Sequence, residues 1–235
     1  MDIQHVEHQI HFFTDNENIR PEPSTISMIL KELGSMNLIP TTAKALNKAT
    51  GQQVNILRMI TSDEQFQVTF APEAIVISLK TRNKAVSFES IVTQVTKLFE
   101  LLKLIYPDKK SNRISSVTTI FSQTNEEQED NKIRDMYLKN ENETPFEWTI
   151  RKCFSVNLGV SNEKINSVHM ADRAKFMLIN DQHVNNFDGY RFTADSNTIS
   201  ENTSYRFDLS NSIDLIKELN NDNLEVLKPI IDMIN

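Results

Sequence analysis

The stretch SVHMADRAKF, residues 167–176, holds a histidine, a carboxylate and a guanidinium within five positions: His169, Asp172 and Arg173. An imidazole exchanges protons near neutrality, a carboxylate orients it or accepts charge, and a guanidinium holds an anionic group. These three are the candidate binding residues of the chain, although the same types also gather at a strand end and its turn. A second set, His5, His8 and His11, recurs every third residue. On a helix that spacing would bring three imidazoles to one side, but on a strand His8 faces away from the other two. The surrounding IQHVEHQIHFF alternates like a strand, so no metal is expected there. Cys153 follows Arg151 and Lys152, cations that favour a thiolate. A catalytic cysteine also needs a histidine base; His169 or His183 could supply it, but nothing in their spacing says so. The alternation of Trp148, Ile150, Phe154, Val156 and Leu158 sets Cys153 on the face opposite the apolar residues, which reads as a surface or half-buried thiol.

Other chemistry is excluded more firmly. The four glycines, Gly34, Gly51, Gly159 and Gly189, cannot write a phosphate-binding loop or a dinucleotide fingerprint. No GxSxG elbow and no HExxH zinc motif occurs. The sequence therefore assigns no catalytic residue, no metal and no cofactor. Basic residues number 25 against 32 acidic ones, for a net charge of −7. Nucleic-acid binding needs a positive footprint, so this balance argues against it. Lys103, Lys109, Lys110 and Arg113 form one modest basic cluster at the end of a helix, where cations suit the dipole. The run NEEQED, residues 125–130, is its acidic counterpart at the start of another.

The elements that would position these residues follow from periodicity. Residues 3–13 read as a strand, and PEPSTISMILKELGS as a helix capped by Ser24 and stopped by Gly34. Strand-like runs then cover 38–46, 54–61, 66–70 and 74–80. Ser87 opens a long helix whose stripe runs Phe88, Ile91, Val92, Val95, Leu98, Phe99, Leu102, Ile105, and Pro107 closes it. The order then starts again: a strand over 113–122, a helix over 126–138, and strands near 148–158, 164–170, 190–194 and 204–209. Two short helices close the chain, 212–219 and 224–234, the second kinked at Pro229.

The fold class is thus α+β. Strand, helix, antiparallel strands and long helix occur once in residues 1–108 and again in 109–235, as two repeats that could share one continuous sheet. Such a tandem resembles the TATA-binding-protein-like architecture, two half-sheets joined in a saddle; a helix-grip sheet wrapped around one helix is the rival. The stretches LLKLIYPDKKSNRISSVTTIFSQ and YRFDLSNSIDLIKEL also resemble a sporadically distributed prokaryotic family of uncharacterised proteins, with Arg113 on the strand after the long helix and Asp208 before the closing helices. Its strand more often reads leucine-arginine-tyrosine-asparagine. The resemblance implies no activity, and patchy distribution would associate it with mobile elements or phage defence.

Hydrophobic residues at 39% and charged residues at 24% describe an ordinary globular chain, and no apolar run reaches the roughly 18 residues of a membrane span. One cysteine and no secretory leader fit a reducing, cytoplasmic setting. The expected function is a non-catalytic protein-interaction or adaptor protein that binds a protein partner, or itself, through a sheet edge or a second sheet face that is not obviously polar. The alternatives are a small-ligand binder or cryptic enzyme with a pocket between sheet and long helix, and nucleic-acid binding by a saddle-shaped sheet.

Overall fold

A computed structural model describes residues 1–46, 51–82, 88–124, 126–138, 145–180 and 183–234. Among the described residues the protein is a mixed α/β structure of four α-helices and one antiparallel sheet of nine strands. The chain runs β1 (Asp2–Phe13), α1 (Pro23–Leu33), β2 (Ile39–Leu46), β3 (Gln53–Ile60), β4 (Phe66–Ala71), β5 (Ala74–Arg82) and α2 (Phe88–Ile105). It continues β6 (Lys110–Ser111), β7 (Arg113–Gln123), α3 (Glu127–Tyr137), β8 (Trp148–Asn157), β9 (Lys164–Asn180), β10 (His183–Thr198), β11 (Phe207–Asp208) and α4 (Ser212–Ile234). Across the sheet the order is β2-β3-β4-β5-β1-β7-β10-β9-β8, and β6 with β11 forms a separate two-stranded ladder. The first long strand of each stretch therefore lies at the centre. β1 and β7 pair antiparallel with each other, and each also receives the last long strand of its own stretch, β5 or β10.

Alternation decides which face is covered. In β1 Val6, Ile10 and Phe12 point to the helices, matched by Ile75 and Ile77 of β5, Ile114 and Ile120 of β7, and Tyr190 and Phe192 of β10. One apolar cluster gathers residues of β1, β3, β4 and β5 with Ile29 and Leu33 of α1 and Ile91, Val95, Leu98, Phe99 and Leu102 of α2. The other gathers Val6, Ile120, Tyr190 and Phe192 with Ile133 of α3. Helix α4 enters both, through Leu215, Ile216 and Leu219 in the first and Leu227 and Ile230 in the second. The helices α1 to α4 thus cover one face of the sheet.

Several local expectations change. Helix α1 takes Glu22 as its N-cap with Pro23 in the first turn, so Ser24 lies inside the helix. Gly34 stays right-handed and leads into a short 3-10 turn, and Asn37, with φ of 54°, is the left-handed residue that ends it. Ser87 lies outside the described residues. The strand expected over 204–209 shrinks to β11, and the two closing helices are one, with Pro229 inside it. Strands β9 and β10 run far beyond 164–170 and 190–194. Among the described residues no helix is long and apolar enough to cross a membrane.

Candidate functional site

The structure does not bring His169, Asp172 and Arg173 together. They lie in the middle of β9, not at its end, and alternation divides them. His169 and Arg173 face the helices, while Asp172 points to the bare face. There its carboxylate, 6% exposed, accepts from Arg191 Nε at 2.8 Å and from Thr149 Oγ1 at 2.7 Å. A buried carboxylate satisfied by a guanidinium and a hydroxyl is a cross-strand tie between β8, β9 and β10. Arg173 is held as firmly. It pairs with Asp188 and, at 3.5 Å, with Asp130 of α3, and its guanidinium lies 5.1 Å from the centre of the Tyr190 ring. Tyr190 donates to Asp130 at 2.5 Å, and it stacks within an aromatic set with Tyr137, Trp148 and Phe192. Burial pushes the Tyr137 phenol up to about 12 and raises that of Tyr190, helped there by the Asp130 bond.

His169 belongs to a different constellation, which composition did not reveal. Between the two apolar clusters lies a polar seam of Ser116, Ser167 and Ser196 on the sheet and Asn220, Asp222 and Asn223 on α4. Asp222 Oδ2 accepts from Ser167 Oγ at 2.6 Å and from Ser196 Oγ at 2.5 Å. Asn223 Nδ2 donates to the Ser116 carbonyl at 2.7 Å. His169 Nε2 sits 3.2 Å from Ser167 Oγ. Because the Ser167 proton goes to Asp222, its oxygen accepts, so His169 carries its proton on Nε2 and leaves Nδ1 as the basic nitrogen. Burial lowers the pKa of His169, Asp222 raises it in part, and Lys152 lowers it further. The order carboxylate-hydroxyl-imidazole is not that of a nucleophilic triad, in which the imidazole stands between acid and hydroxyl and takes the hydroxyl proton. Ser167 and Ser196 donate to the Asp222 carboxylate and Ser116 to the Asn220 amide oxygen, so these hydroxyls are donors and are not activated for attack. What it does physically is to fix α4 on the sheet at one position, since any slip would bury polar groups without partners.

The bare face is more polar than expected. Across β1, β5, β7 and β10 it shows Glu7, Gln9, His11, Ser78, Lys80, Ser115, Thr119, Thr193, Asp195 and Asn197. The side chains tie to one another: Lys80 to Glu7 at 3.6 Å, Gln9 to Glu7 at 2.9 Å, His11 to Gln9 at 3.0 Å, and Ser115 to Asp195 at 2.8 Å. Burial and Arg113 lower the pKa of His11, against Asp195 and Glu7 which raise it, and burial is the largest cause. His5 and His11 share this face and His8 lies on the other, so the three imidazoles are divided by the strand. The basic cluster is dispersed too: Lys103 donates to Ser210, Lys109 to the Asp15 carbonyl and Asn16, and Arg113 to Asn197. Arg58, Lys80, Arg113, Arg151 and Arg191 share the bare face with Glu7, Asp172 and Asp195, which leaves no continuous basic stripe among the described residues.

Two adjoining cavities of about 590 and 540 Å³ flank the 14–22 loop and share Glu17 and Pro72. The first lies beside β3 and β4, the second beside the end of β1, the 72–73 turn and Tyr205, and neither is lined by α2.

The feature with no counterpart in the expected elements is a ribbon. β8 stops pairing at Trp148 with Arg173, and β7 at Ser122 with Tyr190. From Ala174 with Gly189 to Asn180 with His183, seven further residue pairs join β9 and β10 alone among the described residues. On one side the ribbon is packed by its own aromatics, Phe176 5.6 Å from Phe187 and 5.5 Å from Phe121 of β7. On the other, Met177 and Val184 are 61% and 56% exposed, and Lys175 lies over the ring of Phe146, itself 62% exposed. Gly189 marks the departure point: a Cβ there would sit 2.3 Å from the Ser122 carbonyl oxygen, so only glycine allows β10 to pass β7 so closely. The signals were present in the sequence as apolar pairs flanking residues 181–182 and a glycine inside a strand pattern, but the expected strands stopped short of them.

The chain matches no family model, and no curated protein is similar to it.

Proposed function

We propose that the protein is a non-catalytic interaction module that holds a protein partner with the β9–β10 ribbon. The observation that carries this reading is the ribbon's asymmetry: seven residue pairs beyond the flanking strands, packed by aromatics on one side and, on the other, carrying the exposed hydrophobics Met177 and Val184 among Lys175, Asn186 and Asp188. A lone two-stranded ribbon is marginal in water, and exposed methionine suits a surface that adapts to a partner. The corner formed with Phe146 is the kind of apolar patch rimmed by charge, here Lys175, Asp188 and Arg173, that marks protein contacts. The polar groups of the seam and of the bare face are engaged with one another in ties that need no substrate to explain them, which supports an interaction protein over a cryptic enzyme.

In the same reading the two stretches, residues 1–108 and 109–235, are tandem copies of one element order sharing a sheet, a TATA-binding-protein-like saddle. Its support is the strand order, in which β1 and β7 meet at the centre and each half adds its remaining strands outward. The dispersal of cations on the bare face speaks against duplex DNA as the saddle's ligand. A setting in phage defence or a mobile element rests on the sequence resemblance alone.

The test is a paired substitution, Met177→Asp with Val184→Asp, at two exposed positions. A partner that co-purifies with the intact chain from its host is made separately and titrated by calorimetry. Binding to the intact chain and at least a tenfold loss with the double variant, at unchanged unfolding midpoint, is the expected result. Equal affinity for both proteins would remove the ribbon from the interface and the reading with it.

A further inference from the structure

We propose that β8 pairs with β8 of a second copy of this chain, antiparallel, continuing the sheet across a two-fold axis beside Cys153. Among the described residues β8 is an outer strand, bonded to β9 alone, and seven of its ten residues are exposed. An outer strand presents a row of backbone donors and acceptors, and a second identical strand is one way to satisfy them. What selects this partner is the side-chain pattern read through the two-fold.

A two-fold that keeps both helix layers on one side of the extended sheet must set some residue of β8 opposite itself. Only Lys152 and Cys153 are central enough to pair nine residues of the strand. Lys152 opposite itself would set two ammonium groups face to face, which is unfavourable. Cys153 opposite itself produces a self-complementary list. Ile150 meets Val156, and Lys152 meets the ring of Phe154, which is 47% exposed in the single chain. Arg151 meets Ser155, and Thr149 meets Asn157. Each pairing occurs twice, and no like charges are opposed. The adjacent cations Arg151 and Lys152 remain what charges on an outer strand usually are, a guard against other registers. Cys153 is exposed and points to the bare face, so this register brings two thiols to cross-strand distance, within the span a disulfide requires. The inference rests on β8 and stands apart from the ribbon, which lies beyond the end of β8.

Sedimentation velocity at tens of micromolar, under reducing conditions, is the first measurement, and a dimer is expected. Ser155→Arg sets a new guanidinium on each copy opposite Arg151 of the other and should weaken the dimer by roughly tenfold or more. Adding Arg151→Glu to that variant restores opposite charges and should restore the dimer. Position 155 is exposed and faces Asn166 within its own chain, so folding is not at stake. Mild copper-catalysed oxidation of the unmodified protein should link two chains through Cys153, and Ser155→Arg should slow that link in proportion. A monomer at these concentrations, or a dimer indifferent to Ser155→Arg, overturns the proposal. The ribbon variants Met177→Asp and Val184→Asp should leave the dimer intact, so failure of one reading is distinguishable from failure of the other.

Discussion

His8 offers a direct measure of how completely the helix layer seals the sheet. It lies on the helix-facing side of β1, 1% exposed, with Nδ1 3.0 Å from Thr118 Oγ1. Burial lowers its pKa from 6.5 to about 4. The folded protein therefore keeps the ring neutral, while the unfolded chain protonates it near its ordinary value. Above pH 6.5 neither state binds the proton and nothing is lost. Between there and about pH 4 the unfolded chain binds a proton that the folded one refuses, so stability falls as pH falls. Below about pH 4 both are protonated and the loss is complete. A separation of about two and a half pK units corresponds to about 3 kcal/mol in full, of which about 2 kcal/mol is lost by about pH 5. Urea unfolding of the intact chain and of His8→Gln, at neutral pH and near pH 5, isolates this contribution. Glutamine retains a polar contact to Thr118 but does not titrate. Burial also lowers the pKa values of His11 and His169, so both proteins lose stability on acidification, and the expected difference between them is about 2 kcal/mol. Equal acid sensitivity of the two, or a His8 ring resonance that titrates near 6.5, would refute the sealing of this site.

Leu102, wholly buried between α2 and the sheet, should cost about 2–5 kcal/mol when cut to alanine, and a loss below about 0.5 kcal/mol in urea melts would contradict the packing. Gly189→Ala must move either β10 or the Ser122 carbonyl, and a loss of about 1–3 kcal/mol is expected from the same melts. Duplex DNA should bind no tighter than nonspecific levels, roughly 10⁻⁴–10⁻⁶ M at physiological salt, and submicromolar anisotropy titrations that weaken steeply with salt would reverse the reading of the bare face.

Much of the architecture was legible because alternation and helical spacing are strong signals where one face is apolar. The stripe from Ile91 to Leu102 and the alternation of β1 each declared their buried sides. What was not legible has separate causes. Asn220, Asp222 and Asn223 look like a helix break because polar residues interrupt the stripe, yet they meet serines that stand at core-facing positions of β7, β9 and β10. Neither half of that match is informative alone, since only the register of two distant elements makes it a hydrogen-bonded layer. His169, Asp172 and Arg173 are close in sequence, but the pleat sets His169 and Arg173 on the helix face and Asp172 on the bare one. Ribbon length was hidden because Met177, Val184 and their neighbours carry no one-sided pattern of the kind that strand recognition uses.

Helix α4 has a consequence for how the molecule is made. Its Leu215, Ile216 and Leu219 complete the apolar cluster of strands and helices encoded more than a hundred residues earlier. Synthesis runs from the N-terminus, and early stretches ordinarily fold as units once they emerge. Here the early stretch emerges without Leu215, Ile216 and Leu219 of α4, which belong to the same apolar cluster as α2 and β1. Residues 1–108 alone should thus remain protease-sensitive on the ribosome, and protection should come to both halves together when α4 leaves the exit tunnel. Stalled chains of increasing length, probed by brief proteolysis, would reveal this as one late step; an early protected fragment ending near α2 would show that the first half closes without it.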